Sequence, residues 1–249
     1  VYGSDHGIGR KGYRLGEYTR IAMANDFFRP MKGYYGVMEL QSGQVNWGTV
    51  NSQPWPGAVR LWLWHVFAGG SKFTCTYRFR APIYGYEQYH YGIVGPDGVT
   101  PTPGGMEFST FIKEMELLRK NYDPKAKLPV NYLKRKTAIL FDADNVTAIN
   151  MNPQTREWNT EAHFLKYYRA LKALGAPVDF VRDTTRLEAY PVVIVPALQQ
   201  ISLPMVEKLK AYVNGGGHLV MTVRSGHQDP NGHLWEAPFA APTRDLIGA

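Results

Sequence analysis

Cysteine occurs once in 249 residues, as Cys75. A single thiol excludes an internal disulfide and any metal cluster built on several thiolates. Cys75 lies between Thr74 and Thr76 in an apolar, strand-like stretch, which predicts a buried structural thiol. No apolar run reaches the roughly 18 residues that a membrane-crossing helix needs, so no membrane partner is expected. The N-terminus has no initiator Met, no basic segment and no apolar segment of a targeting signal. Val1-Tyr2 reads instead like the end of a strand, and Ala249 follows no closing element; both ends are expected to be cuts within a longer protein. Acidic residues are the scarcer sign, 21 against 28 basic, for a net charge of +7. That balance would suit nucleic acid, but the Lys and Arg are dispersed. The one cluster, Lys134-Arg135-Lys136, precedes an apolar strand and reads as a solvated linker, so no nucleic-acid partner is expected. Internal repeats, low-complexity tracts, a Gly-x-Gly-x-x-Gly fingerprint and a Walker sequence are all missing.

Aromatic residues, by contrast, make up 13% of the chain, with 16 Tyr and 6 Trp. Flat rings stack on pyranose faces, and they also fill cores and interfaces; composition alone favours the second use. Their neighbours do more. Tyr34 to Glu39 is a short apolar run ending in a charge, and Pro54, Pro56 and Gly57 punctuate the loop that follows. Ala58 to Ala68 is apolar on nearly every side and predicts a buried helix ended by Gly69-Gly70. Phe73 to Arg80 has the β-branched and aromatic content of a strand, and Glu107 to Lys120 the periodicity of an amphipathic helix. Two strand-helix units in succession are the grammar of a parallel sheet or barrel. Two units cannot close a barrel, so residues 1–123 are expected to be the C-terminal part of a (β/α)8 barrel.

Residues 124–136, with Pro124 and Pro129, read as a linker. Beyond it, strands are expected at Thr137–Asp142, Val178–Val181, Val192–Val195 and His218–Val223, and helices at Thr160–Leu174 and Leu203–Val213. Alternation of this kind predicts a second, open α/β domain over residues 137–249, truncated at its C-terminus. The fold class is therefore α/β throughout. Gly215-Gly216-Gly217 and Asp142-Ala143-Asp144 leave a nucleotide site conceivable in this domain, but without a phosphate-binding motif an oligomerising role is the better reading.

Glu39 is the first candidate for chemistry. In a parallel barrel the C-terminal ends of strands carry the active site. Cleavage of a glycosidic bond needs two carboxyls, one to attack or activate water and one to protonate the leaving oxygen. The segment Val37-Met38-Glu39-Leu40-Gln41-Ser42-Gly43-Gln44-Val45-Asn46-Trp47 resembles the nucleophile segment of family 42 glycoside hydrolases. The resemblance continues through Pro56-Gly57-Ala58-Val59-Arg60, Tyr77 to Arg80 and Gly85-Tyr86-Glu87-Gln88-Tyr89-His90, and in the second half through Tyr168 to Val181, Tyr190 to Ala197 and Leu209 to Thr222.

That resemblance implies a β-galactosidase, retaining configuration at the anomeric carbon, acting on galactosides or galacto-oligosaccharides. It implies Glu39 as the nucleophile at the end of barrel strand seven, Trp47 as an aromatic at the sugar site, and Glu87 with His90 as partners of galactose hydroxyls. It also implies that the second domain has a class I glutamine amidotransferase-like fold without its nucleophilic cysteine, and that it assembles a homotrimer. The family's acid/base Glu follows an Asn. No Asn-Glu dipeptide occurs here, so that residue is expected upstream of Val1 and this piece alone is expected to be inactive. Glu87 and His90 without a third ligand make a poor metal site, and neither metal nor cofactor is expected. An α-L-arabinopyranosidase, a galactan-fragment hydrolase and a non-catalytic sugar-binding protein remain as alternatives.

Overall fold

Parallel strands organise both halves of the computed structural model, which describes residues 14–32, 34–48, 51–123, 125–238 and 241–248. The expected strand end at Val1-Tyr2 and the linker residue Pro124 lie outside these residues. The chain divides into two units, Val1–Ala126 and Lys127–Ala249.

In the first unit the order is α1 (Tyr18–Lys32), β1 (Val37–Gln41), α2 (Ala58–Ala68), β2 (Thr74–Tyr77) and α3 (Pro103–Asn121). Strands β1 and β2 pair in parallel, with Val37 opposite Thr74 but Leu40 opposite Thr76. Three steps along β1 match two along β2, so one extra residue is accommodated at Met38-Glu39, as in a β-bulge. Helix α2 follows the sequence closely. Its buried residues Ala58, Val59, Trp62, Leu63 and Val66 form one stripe, which packs with Leu40 of β1 and Ile21 of α1, while Phe108 and Phe111 of α3 lie against the same cluster. The N-terminus of α2 is closed from α3: the Glu107 carboxylate accepts from the backbone N–H of Gly57 and of Arg60, both at 2.7 Å. Glu114, on the same helix, pairs with Arg60 at 2.6 Å and accepts from Trp64 Nε1 at 2.8 Å.

Several expectations need correction here. Strand β1 does not end at Glu39 but runs two residues further, because Leu40 is fully buried and Gln41 pairs with Tyr77. Strand β2 is half the expected length, covering only Thr74–Tyr77. Cys75 is exposed rather than buried: an apolar alternation fixes which residues share a face, not which face is covered. Helix α1 has no counterpart among the expected elements; it buries Thr19, Asn25 and Asp26, and polar residues at inward positions hide the helical stripe.

The second unit contains α4 (Val130–Leu133), β3 (Thr137–Leu140), α5 (Ala143–Met151), α6 (Thr160–Ala173), β4 (Val178–Val181), β5 (Val192–Val195), α7 (Leu203–Asn214), β6 (His218–Met221) and α8 (Arg244–Ile247). Its sheet is parallel and open, in the order β4-β3-β5-β6. Every residue of β3 and β4 is buried, as expected for strands with helices on both faces. Ala138, Leu140, Val193 and Val195 face Val206 and Leu209 of α7. On the other face Phe164 and Tyr168 of α6 lie against Phe180, with ring centroids 6.4 and 6.1 Å apart.

The structure gives two polar motifs their roles. Asp142, considered for a nucleotide site, caps α5 by accepting from Asn145 N at 2.8 Å. Lys136, expected in a solvated linker, pairs at 2.8 Å with Asp179, which is buried in β4. The Tyr190 hydroxyl donates to the same carboxylate at 3.0 Å. A carboxylate inside a sheet layer needs such partners, and position in the fold, not local composition, recruits the lysine.

Candidate active site

Glu39 sits where β1 is irregular. A bulge turns a strand locally and re-aims its side chains, and Glu39 is exposed while Leu40, the next residue, is fully buried. Gln41, two residues on, donates from Nε2 to Glu39 Oε1 at 3.2 Å. Gln41 is in register with Tyr77 at the end of β2. The Tyr77 hydroxyl in turn donates to Glu87 Oε2 at 2.5 Å, and Arg78 reaches the same oxygen at 3.2 Å. Glu87 is therefore held by the end of the strand beside Glu39, although it belongs to a loop ten residues further along.

His90 completes the group. A tight turn brings it back, with His90 N donating to Glu87 O at 2.9 Å. Its ring packs edge-on to Tyr77 with centroids 5.5 Å apart, and it is only 3% exposed. Burial holds its pKa below the ordinary 6.5, while the carboxylates of Glu87 and Glu39 and a hydrogen bond to the Tyr77 backbone act in the opposite direction. His90 thus lies within electrostatic reach of both candidate carboxylates. Its Nε2 is buried without a hydrogen-bond partner. With the other ring nitrogen bonded to the Tyr77 backbone, the neutral ring presents Nε2 as an acceptor. A buried unpaired acceptor is costly unless a ligand satisfies it.

The loops are fastened behind this group. Ser42 Oγ donates to Tyr91 O at 2.8 Å, and Tyr91 N donates to Gln44 O at 2.9 Å. Asn46 Nδ2 donates to Tyr86 O at 2.6 Å. The segment after β1 is therefore stitched to both ends of the segment carrying Glu87 and His90. Trp47 follows Asn46 in this loop and is 56% exposed. Glu39, Glu87 and His90 are brought together; Trp47 is joined to them only through its neighbour. Gln41, Tyr77 and Arg78 were not singled out from the sequence as site residues. Their position at the ends of β1 and β2, two residues or more beyond Glu39, was the available signal, and it required the register to use it.

A pH dependence follows. His90 is neutral in the folded state over a range where the unfolded chain is already protonated. Its contribution to stability is present above pH 6.5 and is lost as pH falls through 6.5 toward the lower folded-state value. A histidine NMR titration should give His90 a pKa below 6.5, and its replacement by Gln should lessen the fall of Tm on acidification. A native-state value at or above 6.5 would contradict this account.

Parallel strands alternating with helices in both units place the chain among α/β proteins. A family model described as β-galactosidase matches residues 8–118, and one described as β-galactosidase trimerisation domain matches residues 135–249. β-Galactosidase BgaH of Haloferax lucentense is 32% identical over 237 residues, covering 95% of this chain and 34% of that protein. β-Galactosidase BgaA of a Thermus species is 34% identical over 216 residues, covering 86% of this chain and 31% of its own length. The solved β-galactosidase of the Antarctic haloarchaeon Halorubrum lacusprofundi superposes with a TM-score of 0.87 at 29% identity, over 98% of this chain and 36% of that one. The chain belongs to glycoside hydrolase family 42. It spans about a third of the length of the curated relatives it matches.

Proposed function

We propose that the chain is the part of a β-galactosidase that carries its nucleophile and its galactose-recognition loop. The observation behind this reading is the buried, unpartnered Nε2 of His90 beside Glu39 and Glu87. Glu39 attacks the anomeric carbon of a terminal β-galactoside. The bond to the leaving oxygen breaks as a second carboxyl gives up its proton, and a covalent galactosyl-enzyme forms. Water, deprotonated by that second carboxylate, then releases galactose with its configuration retained. Glu87 accepts hydrogen bonds from sugar hydroxyls and His90 Nε2 accepts another. An epimer that misdirects one hydroxyl leaves a buried acceptor unpaired, which supports discrimination. Trp47 supplies an apolar surface at the sugar. The second carboxyl lies outside residues 1–249 on this reading, so these residues alone do not turn over substrate.

The same proposal takes β1 and β2 as the last strands of a (β/α)8 barrel. It takes residues 1–123 as barrel, 124–136 as linker and 137–249 as a glutamine amidotransferase-like domain that builds a homotrimer. Closed cyclic symmetry lets one surface serve three times. The family match over residues 135–249 supports the assembly role. The test uses the full-length protein. NMR of a β-galactoside digest should detect β-galactose before its α anomer, and light scattering should give three times the chain mass. Early α-galactose would remove the retaining mechanism, and a monomeric mass at micromolar concentration would remove the trimer.

A further inference from the structure

A cavity in the first unit lies apart from this chemistry. It measures about 670 Å³, opens between the N-termini of α2 and α3, and is lined by none of Glu39, Trp47, Glu87 or His90. Its walls include Arg14, Gln53, Trp55, Tyr91 and Glu107. Trp55 is 54% exposed, and its ring is fixed on one side by Arg14, whose guanidinium carbon lies 3.7 Å from the ring centroid. Arg14 is itself tied down: its Nε donates to Gln53 O at 2.8 Å, and its carbonyl accepts from Trp55 N at 3.0 Å. Gln53 Oε1 is buried without a hydrogen-bond partner.

Charge narrows the occupant. Among the described residues the wall contains one cation, Arg14, and one carboxylate, Glu107. A phosphate or carboxylate would meet Glu107, and a cation would meet Arg14; a neutral molecule meets neither cost. A rigid indole face, an unpaired amide acceptor and a volume within the usual range for small-molecule pockets suit a polyhydroxylated ring. We infer that this cavity is a second, non-catalytic site for a neutral saccharide, stacked on the free face of Trp55 with a hydroxyl donating to Gln53 Oε1. Hydrolysis does not occur there. Glu107 is the single carboxylate among the described residues of the wall, and its oxygens are spent on the backbone of Gly57 and Arg60, whereas glycoside cleavage takes two carboxyls. The site shares only a partition with the first one: Gln44 and Tyr91 line this cavity and hydrogen-bond to each other directly behind His90.

The second site itself does not require Glu39 to be the nucleophile; only the test uses that reading, to keep the ligand intact. The test is calorimetric titration of full-length protein carrying Glu39→Gln with β-1,4-galactobiose, which that variant should not consume. Two sites per chain are expected. Trp55→Ala should weaken one of them by about tenfold or more, the loss of one ring-stacking contact, and Glu87→Ala should remove only the other. Thr110→Trp, which fills the cavity from α3 while leaving Trp55 in place, should abolish the same site as Trp55→Ala. Both cavity variants in the otherwise native enzyme should keep kcat/KM for an aryl β-galactoside within about twofold. One site per chain, sensitive to Glu87→Ala and indifferent to Trp55→Ala and Thr110→Trp, would overturn the inference, as would no binding at millimolar galactobiose. Two sites of which neither responds to Glu87→Ala would leave this inference standing and count against the proposed galactose pocket.

Discussion

Glu39→Ala in the full-length protein should lower hydrolysis of an aryl β-galactoside on the order of 10⁴-fold or more, the scale at which removal of a covalent nucleophile is felt. Sodium azide should then restore part of the turnover, because the missing carboxylate leaves room for a small anion next to the anomeric carbon. The anomer of the product is the sharper readout. Azide entering where Glu39 stood attacks from the face opposite the leaving group and gives α-galactosyl azide. β-Galactosyl azide would mean that azide had replaced water at a galactosyl-enzyme, making Glu39 the acid/base instead. Near-normal activity would exclude both roles. Gln41 donates to Glu39 Oε1, so Gln41→Ala should have a much smaller effect than Glu39→Ala, because it orients the carboxylate without removing it.

The sequence carried this candidate further than its secondary structure. Helix α2 was readable to the residue, because Pro56-Gly57 opens it, Gly69-Gly70 closes it and its interior is uniformly apolar. The buried strands β4 and β5 were equally plain, as unbroken apolar or near-apolar runs. Glu39 was misplaced by two residues relative to the strand end because a charge in an apolar run looks like a terminus. It is instead the exposed side of a bulge, and the register that reveals this depends on β2. His90 was legible as a residue type in a Tyr-rich turn but not as a buried acceptor. Its ring contact with Tyr77, thirteen positions away in sequence, and its unpaired Nε2 exist only in the folded chain. Lys136 and Cys75 failed for one reason: local composition does not say which surfaces are later covered.

The placement of His90 also depends on residues that carry no functional group. Gly104 and Gly105 begin α3, behind the N-cap Thr102, whose Oγ1 accepts from Gly105 N at 3.1 Å. A Cβ on Gly104 would stand 1.6 Å from the carbonyl oxygen of Ser42, and one on Gly105 would stand 2.0 Å from that of Ile93. Ser42 immediately follows β1, and Ile93 follows the turn that carries His90, so the start of α3 presses on both loops of the candidate site. These contacts are with backbone, which has no rotamer into which to retreat. Gly104→Ala should therefore destabilise the protein by about 3 kcal/mol or more, the upper range for overpacking. It should also lower kcat/KM in molecules that remain folded, through displacement of Ser42 and its bond to Tyr91. Gly57→Ala is the informative contrast. Gly57 has φ +88 but open space around its Cβ position, so that substitution should cost only about 1 kcal/mol of backbone strain. Denaturant titrations of the two variants measure the difference. Equal losses would mean that backbone conformation, rather than the close approach of α3 to the loops after β1 and β2, limits these glycines.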